Sequence, residues 1–393
     1  MDTFSETRFI LTLHLVFNHN KSVTMSWGSG YFGQLGHGAD KVFCKEPTVI
    51  DRLMPHYVGG DVVSVFAGGM NSAVIVAGDA STWKKRHDGR IIETRVFRFG
   101  SNKFNQCAIS DSSGKFSNAI VYPTPMVDVC DPESGRRVSF LSLALGRLHS
   151  VGLCQNGDLY SWGFTPRCGH KSKGSSNSVK SALKSKSGTL QPKRIDSLRG
   201  INIVQVAAGD AHTLALSDGG MLYSWGCGSS GQLGHGNEMD SLRPKLITVL
   251  QFKHGGPSRT NNGLVTTQFD AYFSEKVASL GTAESTNSSN GRILIAAAGN
   301  YSAMVTPSGD LFTWGCNADG QLGHQSCQES STYAQLKGDS SNNDLSFQFD
   351  STPTVQIPRR VECLRDLDLR VQDVSLGMHF TMLLCSHHKS NDS

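Results

Sequence analysis

Charge is scarce in this chain: Asp, Glu, Lys and Arg make up 18% of the 393 residues. The net charge of +4 is too small to predict nucleic-acid binding by itself. None of the 10 cysteines forms a Cys-x-x-Cys pair, so the common zinc-site spacing is lacking. Scattered cysteines are typical of a reducing compartment, and we expect the cytoplasm or the nucleus, the alternative being a secreted disulfide protein.

Long hydrophobic runs are also lacking. The apolar stretch 9–17 is too short to span a bilayer, which takes about 20 residues. A signal peptide is the alternative for this stretch, but Asp2 and Glu6 stand where a positive start is needed. We therefore expect a strand packed on the domain, within an N-terminal extension spanning 1–21.

Glycine, in contrast, is abundant, with 42 residues, and an internal repeat explains why. The clearest unit, residues 204–236, reads VQVAAGDAHTLALSDGGMLYSWGCGSSGQLGHG. The same order of blocks recurs in 143–163 and 296–324, begins in mid-unit at 26–38, is degenerate at 97–107 and ends with 374–384. Each unit predicts short strands joined by Asp-Gly, Asn-Gly or Ser-Gly hairpin turns.

The repeat predicts an all-β fold, a β-propeller of five to seven blades, with a β-solenoid as the alternative. The aromatic-Gly marks at 27, 99, 162, 225 and 314 are 63 to 89 residues apart. Because a propeller unit takes about 40–50 residues, the units carry insertions. We place one domain at 22–385, insertions near 79–95, 167–194, 252–290 and 325–352, and a tail at 386–393. The Ser-, Asn- and Gln-rich insertions 252–290 and 325–352 are expected on one rim.

The two termini each carry part of a unit. The segment 374–384 supplies the half that precedes a Ser-Trp-Gly strand, and 23–27 is such a strand. Pairing these segments would close the ring and remove exposed sheet edges.

The ordered blocks Ala-Ala-Gly-x-x-His-Thr-Leu-Ala-Leu, Leu-Tyr-Ser-Trp-Gly and Gly-Gln-Leu-Gly-His-Gly resemble the repeat of the regulator of chromosome condensation family. The resemblance covers about residues 22–385 and is weak between 79 and 130. It implies a β-propeller, seven-bladed in its best-known form. The founding member exchanges guanine nucleotide on a small nuclear GTPase and binds chromatin, and other members use the propeller as an interaction module.

Several repeat residues have both a structural and a functional interpretation. The glycine patterns at 28–33 and 226–231 match a dinucleotide loop, but no helix-forming segment follows, so we predict turns. Metal binding by the repeat histidines is disfavoured because positions on a wide ring do not converge on one ion; we expect them to hydrogen-bond backbone groups. A tryptophan cluster for light sensing or ligand binding is the alternative to core packing. The predicted structural core comprises Trp27, Trp162, Trp225, Trp314, His149, His212 and His379.

One segment, 167–194, is strongly basic and contains no Asp or Glu. It is either a solvated insertion or a loop that binds nucleic acid, chromatin or an acidic protein. Its basic residues are Arg167, Lys171, Lys173, Lys180, Lys184, Lys186, Lys193 and Arg194. A shorter basic cluster lies at 84–87.

No constellation of nucleophile, base and acid stands out, so we expect no catalytic site, cofactor or metal. The sequence predicts a protein-protein interaction scaffold. The alternative is a guanine-nucleotide exchange factor for a small GTPase, which would act by holding the nucleotide-free GTPase.

Overall fold

The structure, a computed structural model, describes residues 11–18, 21–78, 94–109, 117–170, 188–248, 258–259, 265–266, 293–324 and 354–387. Antiparallel strands dominate these residues. The helices are single turns, α1 at Pro55–Val58 and α2 at Glu362–Asp366. The expected all-β class is therefore confirmed.

Six sheets follow the order of the chain, and we label them A to F. The strands of sheets A to C are β1 (Leu11–Asn18), β2 (Lys21–Ser29) and β3 (Phe43–Val49) in A; β4 (Gly60–Ala67), β5 (Asn71–Gly78), β6 (Thr94–Ser101) and β7 (Ala119–Pro125) in B; β8 (Phe140–Leu145), β9 (His149–Cys154), β10 (Leu159–Phe164) and β11 (Gly188–Arg194) in C.

The strands of sheets D to F are β12 (Ile203–Ala208), β13 (His212–Ser217), β14 (Leu222–Gly226) and β15 (Ser241–Leu246) in D; β18 (Leu294–Ala298), β19 (Tyr301–Val305), β20 (Leu311–Cys316) and β21 (Thr354–Arg360) in E; β22 (Leu369–Leu376) and β23 (Thr381–His387) in F. A separate two-residue pair, β16 (Ser258–Arg259) and β17 (Val265–Thr266), lies between D and E.

Sheets B to E each have four strands that follow the sequence repeat. The Ala-Ala-Gly block ends the first strand, His-Thr-Leu-Ala-Leu is the second, and Leu-Tyr-Ser-Trp-Gly is the third. In all four sheets the glycine at or next to the end of the third strand lies opposite the first residue of the second strand, as Gly226 does with His212. Gly226 has a φ of 107°, a backbone conformation that residues other than glycine rarely adopt.

The hydrophobic core is divided among the contacts between consecutive sheets. Ile75 of B packs with Trp162 of C, Val151 of C with Trp225 of D, and Leu214 of D with Trp314 of E. A repeat that buries its apolar side chains only against its neighbours is the arrangement of repeat proteins. Each sheet therefore depends on the next for its core.

The terminal sheets differ from the predicted ring closure. Residues of 23–27 lie in β2, which pairs with β1 and β3, whereas β23 pairs with β22. Within the described residues no strand pair joins β2 to β23. The reason is that β1, from the N-terminal stretch, already lies along the β2 edge that β23 would need, with Leu11 opposite Gly28. Part of segment 1–21 thus belongs to sheet A.

Candidate functional site

The Gly-Gln-Leu-Gly-His block forms the contact from one sheet to the next. Its glutamine main-chain carbonyl accepts hydrogen bonds from the following sheet. Gln106 O accepts from Ser150 Oγ at 2.9 Å and from Trp162 Nε1 at 2.9 Å. Gln232 O accepts from Ser302 Oγ at 3.0 Å and from Trp314 Nε1 at 2.9 Å. A carbonyl has two lone pairs, and Gln232 O uses both in this way, whereas Gln106 O also accepts from Arg98 of its own sheet at 2.8 Å.

The glutamine side chain holds its own loop. Its Oε1 accepts the backbone N–H two residues earlier, as Gln232 does with Ser230 at 2.8 Å and Gln34 with Phe32 at 2.8 Å. A side chain on Gly231 would come within 2.8 Å of Gln356 Cα in the next sheet. The glycine patterns at 28–33 and 226–231 thus lie in turns between β2 and β3 and between β14 and β15, in contact with a neighbouring sheet rather than ahead of a helix.

Two of the predicted core histidines connect consecutive sheets. His149 Nε2 lies 2.7 Å from Thr213 Oγ1, and His212 Nε2 lies 2.9 Å from Ser302 Oγ. Burial lowers the pKa of each ring to about 3, because a charged imidazolium is disfavoured away from water. The side-chain partners of both rings are hydroxyls of the next sheet, and His212 also has a backbone hydrogen bond with Tyr301.

The third histidine, His379, does not lie in this core. Its side chain is 56% exposed and its Nδ1 lies 2.7 Å from Asp319 Oδ2. The β22–β23 register aligns Thr381 with Thr213, so the residue equivalent to His212 is Phe380. The sequence motif was misaligned by one residue.

A second set of histidines closes each loop onto the third strand. His37, His235 and His324 contact the hydroxyls of Ser26, Ser224 and Thr313 at 2.9 to 3.0 Å. Burial lowers the pKa of His235 to about 4. Among the described residues, no group of three or more His, Cys, Asp or Glu could hold a metal ion.

The four repeat tryptophans divide into two classes. Trp162, Trp225 and Trp314 are fully buried. Trp27 in sheet A is only partly buried. Sheet A has three strands and lacks the innermost strand found in B to E.

Sheet B replaces the hydroxyl–histidine pair with a buried arginine. Arg98 donates to Asn71 Oδ1 at 2.8 Å, to Gln106 O at 2.8 Å and to Ser150 Oγ at 2.9 Å. Burial lowers the pKa of its guanidinium. This residue explains why the repeat is degenerate here: one long side chain spans two sheets in place of a short local pair.

The basic segment 167–194 divides at its ends. Arg167 is buried and donates to Asp240 Oδ2 at 2.8 Å in the next sheet, in the place where the other repeats have glutamine. Arg194 is also buried and contacts Asp131 at 3.0 Å and Glu133 at 2.7 Å. Both were predicted as members of a basic loop that is either solvated or partner-binding; in the structure each forms buried ion pairs within the protein. Lys193 is exposed on β11.

The remaining basic residues lie outside the described residues, between His170 and Gly188. They are Lys171, Lys173, Lys180, Lys184 and Lys186. Lys84 to His87 also lie outside the described residues.

One end of the sheets collects the loops between third and fourth strands and the turns between first and second strands; we call it the loop face. Backbone hydrogen bonds join these two sets, for example Phe164 N to Leu148 O at 2.9 Å and Cys227 N to Ala211 O at 2.8 Å. The segments 110–116, 171–187 and 325–353 begin on this face, directly after Ile109, His170 and His324. The segment 249–292, which includes the predicted insertion 252–290, joins a fourth strand to a first strand. Almost all of the insertions 252–290 and 325–352 lies outside the described residues, so their expected place on one rim stays a prediction.

The loop face presents aromatic and basic side chains from sheets A to C. Tyr31 and Phe43 are 53% and 54% exposed, and their ring centroids lie 5.0 Å apart. Phe104 of B contacts Phe164 of C, with centroids 5.2 Å apart. Lys103 beside them is exposed.

A clasp at the opposite end joins sheets C and D to the loop before β8. Asp131 accepts the backbone N–H of Ser134 at 2.7 Å and contacts Arg194. These hydrogen bonds, first of all that from Ser134, lower the pKa of Asp131 to about 2. Inspection of the sequence missed this clasp, although the acidic residues of 131–133 stand out in a chain with little charge.

A shallow cleft that is open to solvent is lined by Val96, Asp128 and Arg137. Small-molecule sites are concave and bury most of the ligand's surface. Its opening is flanked by the Asp128–Arg137 ion pair at 2.6 Å. The cleft does not suit a cofactor-sized ligand.

The family model for the "Regulator of chromosome condensation (RCC1) repeat" matches residues 26–75, 156–216, 219–255 and 308–384, more than half of the chain. A second model of the same description matches 203–232. The chain belongs to the regulator of chromosome condensation repeat family. The matched RCC1 repeats contain the contact between Gln232 and Trp314 described above.

Curated RCC1-repeat relatives are longer than the matched region. The chain is 30% identical over 229 residues to the human E3 ubiquitin-protein ligase HERC2, covering 58% of this chain and 4% of that protein. It is 27% identical over 311 residues to the ultraviolet-B receptor UVR8 of Arabidopsis thaliana, covering 79% of this chain and 53% of the receptor. The chain thus spans about half or less of these relatives.

Solved structures agree on the fold. Human WBSCR16 matches with a TM-score of 0.51 at 19% identity, over 86% of this chain and 65% of that one. Prp20p of Saccharomyces cerevisiae, reported with its binding to Gsp1p and histones, matches with a TM-score of 0.51 at 17% identity, over 96% of this chain and 81% of that one. The RCC1-like propeller is therefore the architecture that these sheets resemble. No helix in the described part of the chain is long and apolar enough to cross a membrane.

Proposed function

We propose that this chain is a protein-interaction scaffold whose loop face binds the acidic surface of a partner protein. The observation that carries the proposal is that some repeat residues form the contacts of the fold while others are left exposed. The motif glutamines, tryptophans and histidines are engaged in contacts within and between sheets. The aromatic side chains of Tyr31 and Phe43 are left exposed instead, on the loop face that also holds His170, the residue before the five-lysine segment 171–187.

The charge of that segment complements an acidic partner. Five lysines without an acidic residue raise the local concentration of an acidic surface and speed association at low salt. Exposed aromatic residues are enriched at protein interfaces, where they supply apolar contact area. Nucleic acid or chromatin is the competing partner for the same lysines, since Prp20p, which shares this fold, is reported with binding to histones.

The test compares two variants that lose positive charge in different segments, five residues in one and three in the other. In the first, Lys171, Lys173, Lys180, Lys184 and Lys186 are replaced by alanine; in the control, Lys84, Lys85 and Arg86 are replaced. Partners are captured by cross-linking from cell extract with and without nuclease, and affinities are measured with the purified partner. We expect the five-lysine variant alone to lose at least tenfold in affinity, more at low salt. Equal binding by both variants contradicts the proposal. If the protein binds only nucleic acid through these lysines, nucleic acid takes the place of the proposed protein partner.

The second candidate is a guanine-nucleotide exchange factor, favoured by the fold shared with Prp20p, whose structure is reported with binding to Gsp1p. Exchange activity is tested by measuring the release of a fluorescent GDP analogue from a panel of small GTPases, with this protein added at a sub-stoichiometric concentration. Acceleration on one GTPase establishes exchange activity; unchanged release on all of them, from folded protein, removes this candidate.

The remaining features complete the proposal. We propose no chemical active site, because the described site offers contacts and no nucleophile–base pair. The ligase named for HERC2 is not carried over, since the match covers 4% of that protein. Cys44, Cys107 and Cys154 are buried free thiols, which supports a cytoplasmic or nuclear location. A propeller of five to seven blades remains part of the proposal.

A further inference from the structure

The first strands of consecutive sheets lie side by side and form an inner wall. From β4 in sheet B to β22 in sheet F, each first strand is an edge of its own sheet and contacts the first strand of the next sheet. The wall is tight at the glycines that follow the strands, since a side chain on Gly209 would come within 2.8 Å of Gly299 O. Equivalent residues of neighbouring repeats therefore lie next to each other along this wall.

A β-bulge interrupts the inner-wall strands near the end opposite the loop face. In sheets B, C, D and F the pairing with the second strand skips one residue. A bulge takes the skipped residue out of the ladder and can re-aim its side chain. The skipped residues are Val63, Leu141, Val204 and Gln372. The three apolar ones are 38%, 52% and 50% exposed, and we call them the inner-wall patch.

The fold does not require an apolar residue at this bulge. In sheet F the position holds Gln372, which is exposed. A half-exposed side chain also gains only part of the free energy that full burial supplies. Exposed apolar residues at the same place in three consecutive sheets form a surface patch, and such patches mark interaction sites. The inner-wall patch therefore fits a binding role better than a packing role.

Exposed carboxylates flank the inner-wall patch. Asp61 is exposed and lies two residues before Val63 on β4. Asp218 is exposed, and its Oδ2 accepts from the side chain of Asn202, two residues before Val204, at 2.9 Å. Both carboxylates thus lie beside the apolar residues of the patch.

The basic residues of the loops that lead into β8 and β12 are mostly neutralised. Arg137 pairs with Asp128 at 2.6 Å, and Arg199 pairs with Glu133 at 2.7 Å. Among the basic residues that the structure describes in these two loops, Arg136 alone has no ion pair. The flank of the inner-wall patch is therefore acidic, although the net charge of the chain is +4.

We propose that the inner-wall patch is a docking site for a segment of a partner protein in which apolar residues are flanked by lysine or arginine. The apolar residues of the segment cover Val63, Leu141 and Val204, and this burial supplies affinity. The cations of the segment meet Asp61 and Asp218, which select a basic segment over an acidic one. The site lies at the end opposite the loop face and takes a segment of the opposite charge, so it does not rest on the function proposed above.

The first experiment uses a phage-displayed library of random dodecapeptides as the probe and the immobilised full chain as the receptor. We expect enriched peptides with lysine or arginine beside aliphatic or aromatic residues. Leu141→Gln with Val204→Gln installs the residue that sheet F has at this bulge, and this variant should lose the enrichment. Met239→Gln is the control at an apolar residue that is 71% exposed on the loop face, and it should enrich the same peptides as the natural chain. No enrichment on the folded natural chain, enrichment of acidic peptides alone, or the same peptides on all three proteins overturns the proposal.

The second experiment tests the carboxylates and does not depend on the patch variant. An enriched peptide is labelled with fluorescein, and fluorescence anisotropy measures its affinity for the natural chain and for Asp61→Asn with Asp218→Asn. Asparagine keeps the shape of each side chain and an acceptor for Asn202. We expect several-fold weaker binding at low salt and a smaller difference at high salt, because salt screens exposed charges. The control Asp40→Asn with Glu46→Gln removes two exposed carboxylates of sheet A and should bind as the natural chain does. Equal affinity for all three proteins contradicts the proposal.

Discussion

The buried histidines between sheets make the stability of this protein acid-sensitive. His149 and His212 are fully buried, and burial lowers the pKa of each to about 3. In the unfolded chain the pKa is near 6.5. Between these values the unfolded state binds protons that the folded state excludes, so the free energy of unfolding falls as the pH falls.

The size of this fall in the free energy of unfolding depends only on the pKa of the rings in the unfolded chain, because at pH 5 the rings in the folded protein are still neutral. One pKa unit corresponds to about 1.4 kcal/mol, so lowering the pH from 7 to 5 costs about 2 kcal/mol for each ring. The two rings together remove about 4 kcal/mol, a large part of the ~5–15 kcal/mol that stabilises a typical domain. Stability is fully present above pH 6.5 and is lost progressively toward pH 3.

The assay is urea unfolding followed by tryptophan fluorescence at pH 7, 6 and 5, on the natural chain and on His149→Asn with His212→Asn. Asparagine is the chain's own alternative, since Asn71 occupies the equivalent position in sheet B and donates to Gly146 O at 3.0 Å. We expect the double variant to be less stable at pH 7 and to lose about 4 kcal/mol less than the natural chain on acidification to pH 5. The same dependence on pH in both proteins would refute the assignment of the protons to these rings.

Three further predictions concern contacts between sheets. Replacing the fully buried Trp314 with alanine removes a core side chain and the bond to Gln232, and should cost about 3–5 kcal/mol in urea unfolding, as should Trp225→Ala; a loss under 1 kcal/mol contradicts their place in the core. Asp240→Asn leaves the buried guanidinium of Arg167 without its anion and should lower the melting temperature measured by calorimetry. The double variant Arg167→Gln with Asp240→Asn installs the usual repeat residue and should recover most of that loss. No recovery in the double variant would count against the idea that Arg167 with Asp240 takes the place of the repeat glutamine. Asp131→Ala removes a carboxylate whose pKa is lowered to about 2. The natural chain gains stability from this carboxylate above about pH 4 and loses it toward pH 2, so the variant should lack this contribution. Identical acid unfolding curves for the two proteins would count against the clasp.

The repeat could be predicted from the sequence because it is local. Short strands, glycine turns and the strand order within sheets B to E follow from blocks that recur with the same register. The buried state of Trp162, Trp225 and Trp314 follows from the same blocks. Nothing in a repeat says which strands pair at the ends of the array, and the apolar stretch 9–17 competes for the same edge as 374–384.

The charged residues were harder to interpret because charge alone does not reveal burial. Arg167 and Arg194 flank a lysine-rich stretch, yet each meets a carboxylate distant in the sequence, Asp240 and Asp131. The only sequence signal was positional: Arg167 stands three residues before His170, where other repeats have glutamine. His379 was misassigned because histidine identity was weighted over alignment with Thr381.

The three loop-face segments 110–116, 171–187 and 325–353 begin one residue after the position at which each motif ends. By that point the main-chain carbonyls of Gln106 and Gln321 have met the next sheet, and His170 and His324 have reached their hydroxyls. Insertions, deletions and substitutions in these segments therefore leave the contacts between sheets untouched. Such a protein can change its partner during evolution without first being destabilised, since the residues under selection for recognition are separate from those under selection for folding.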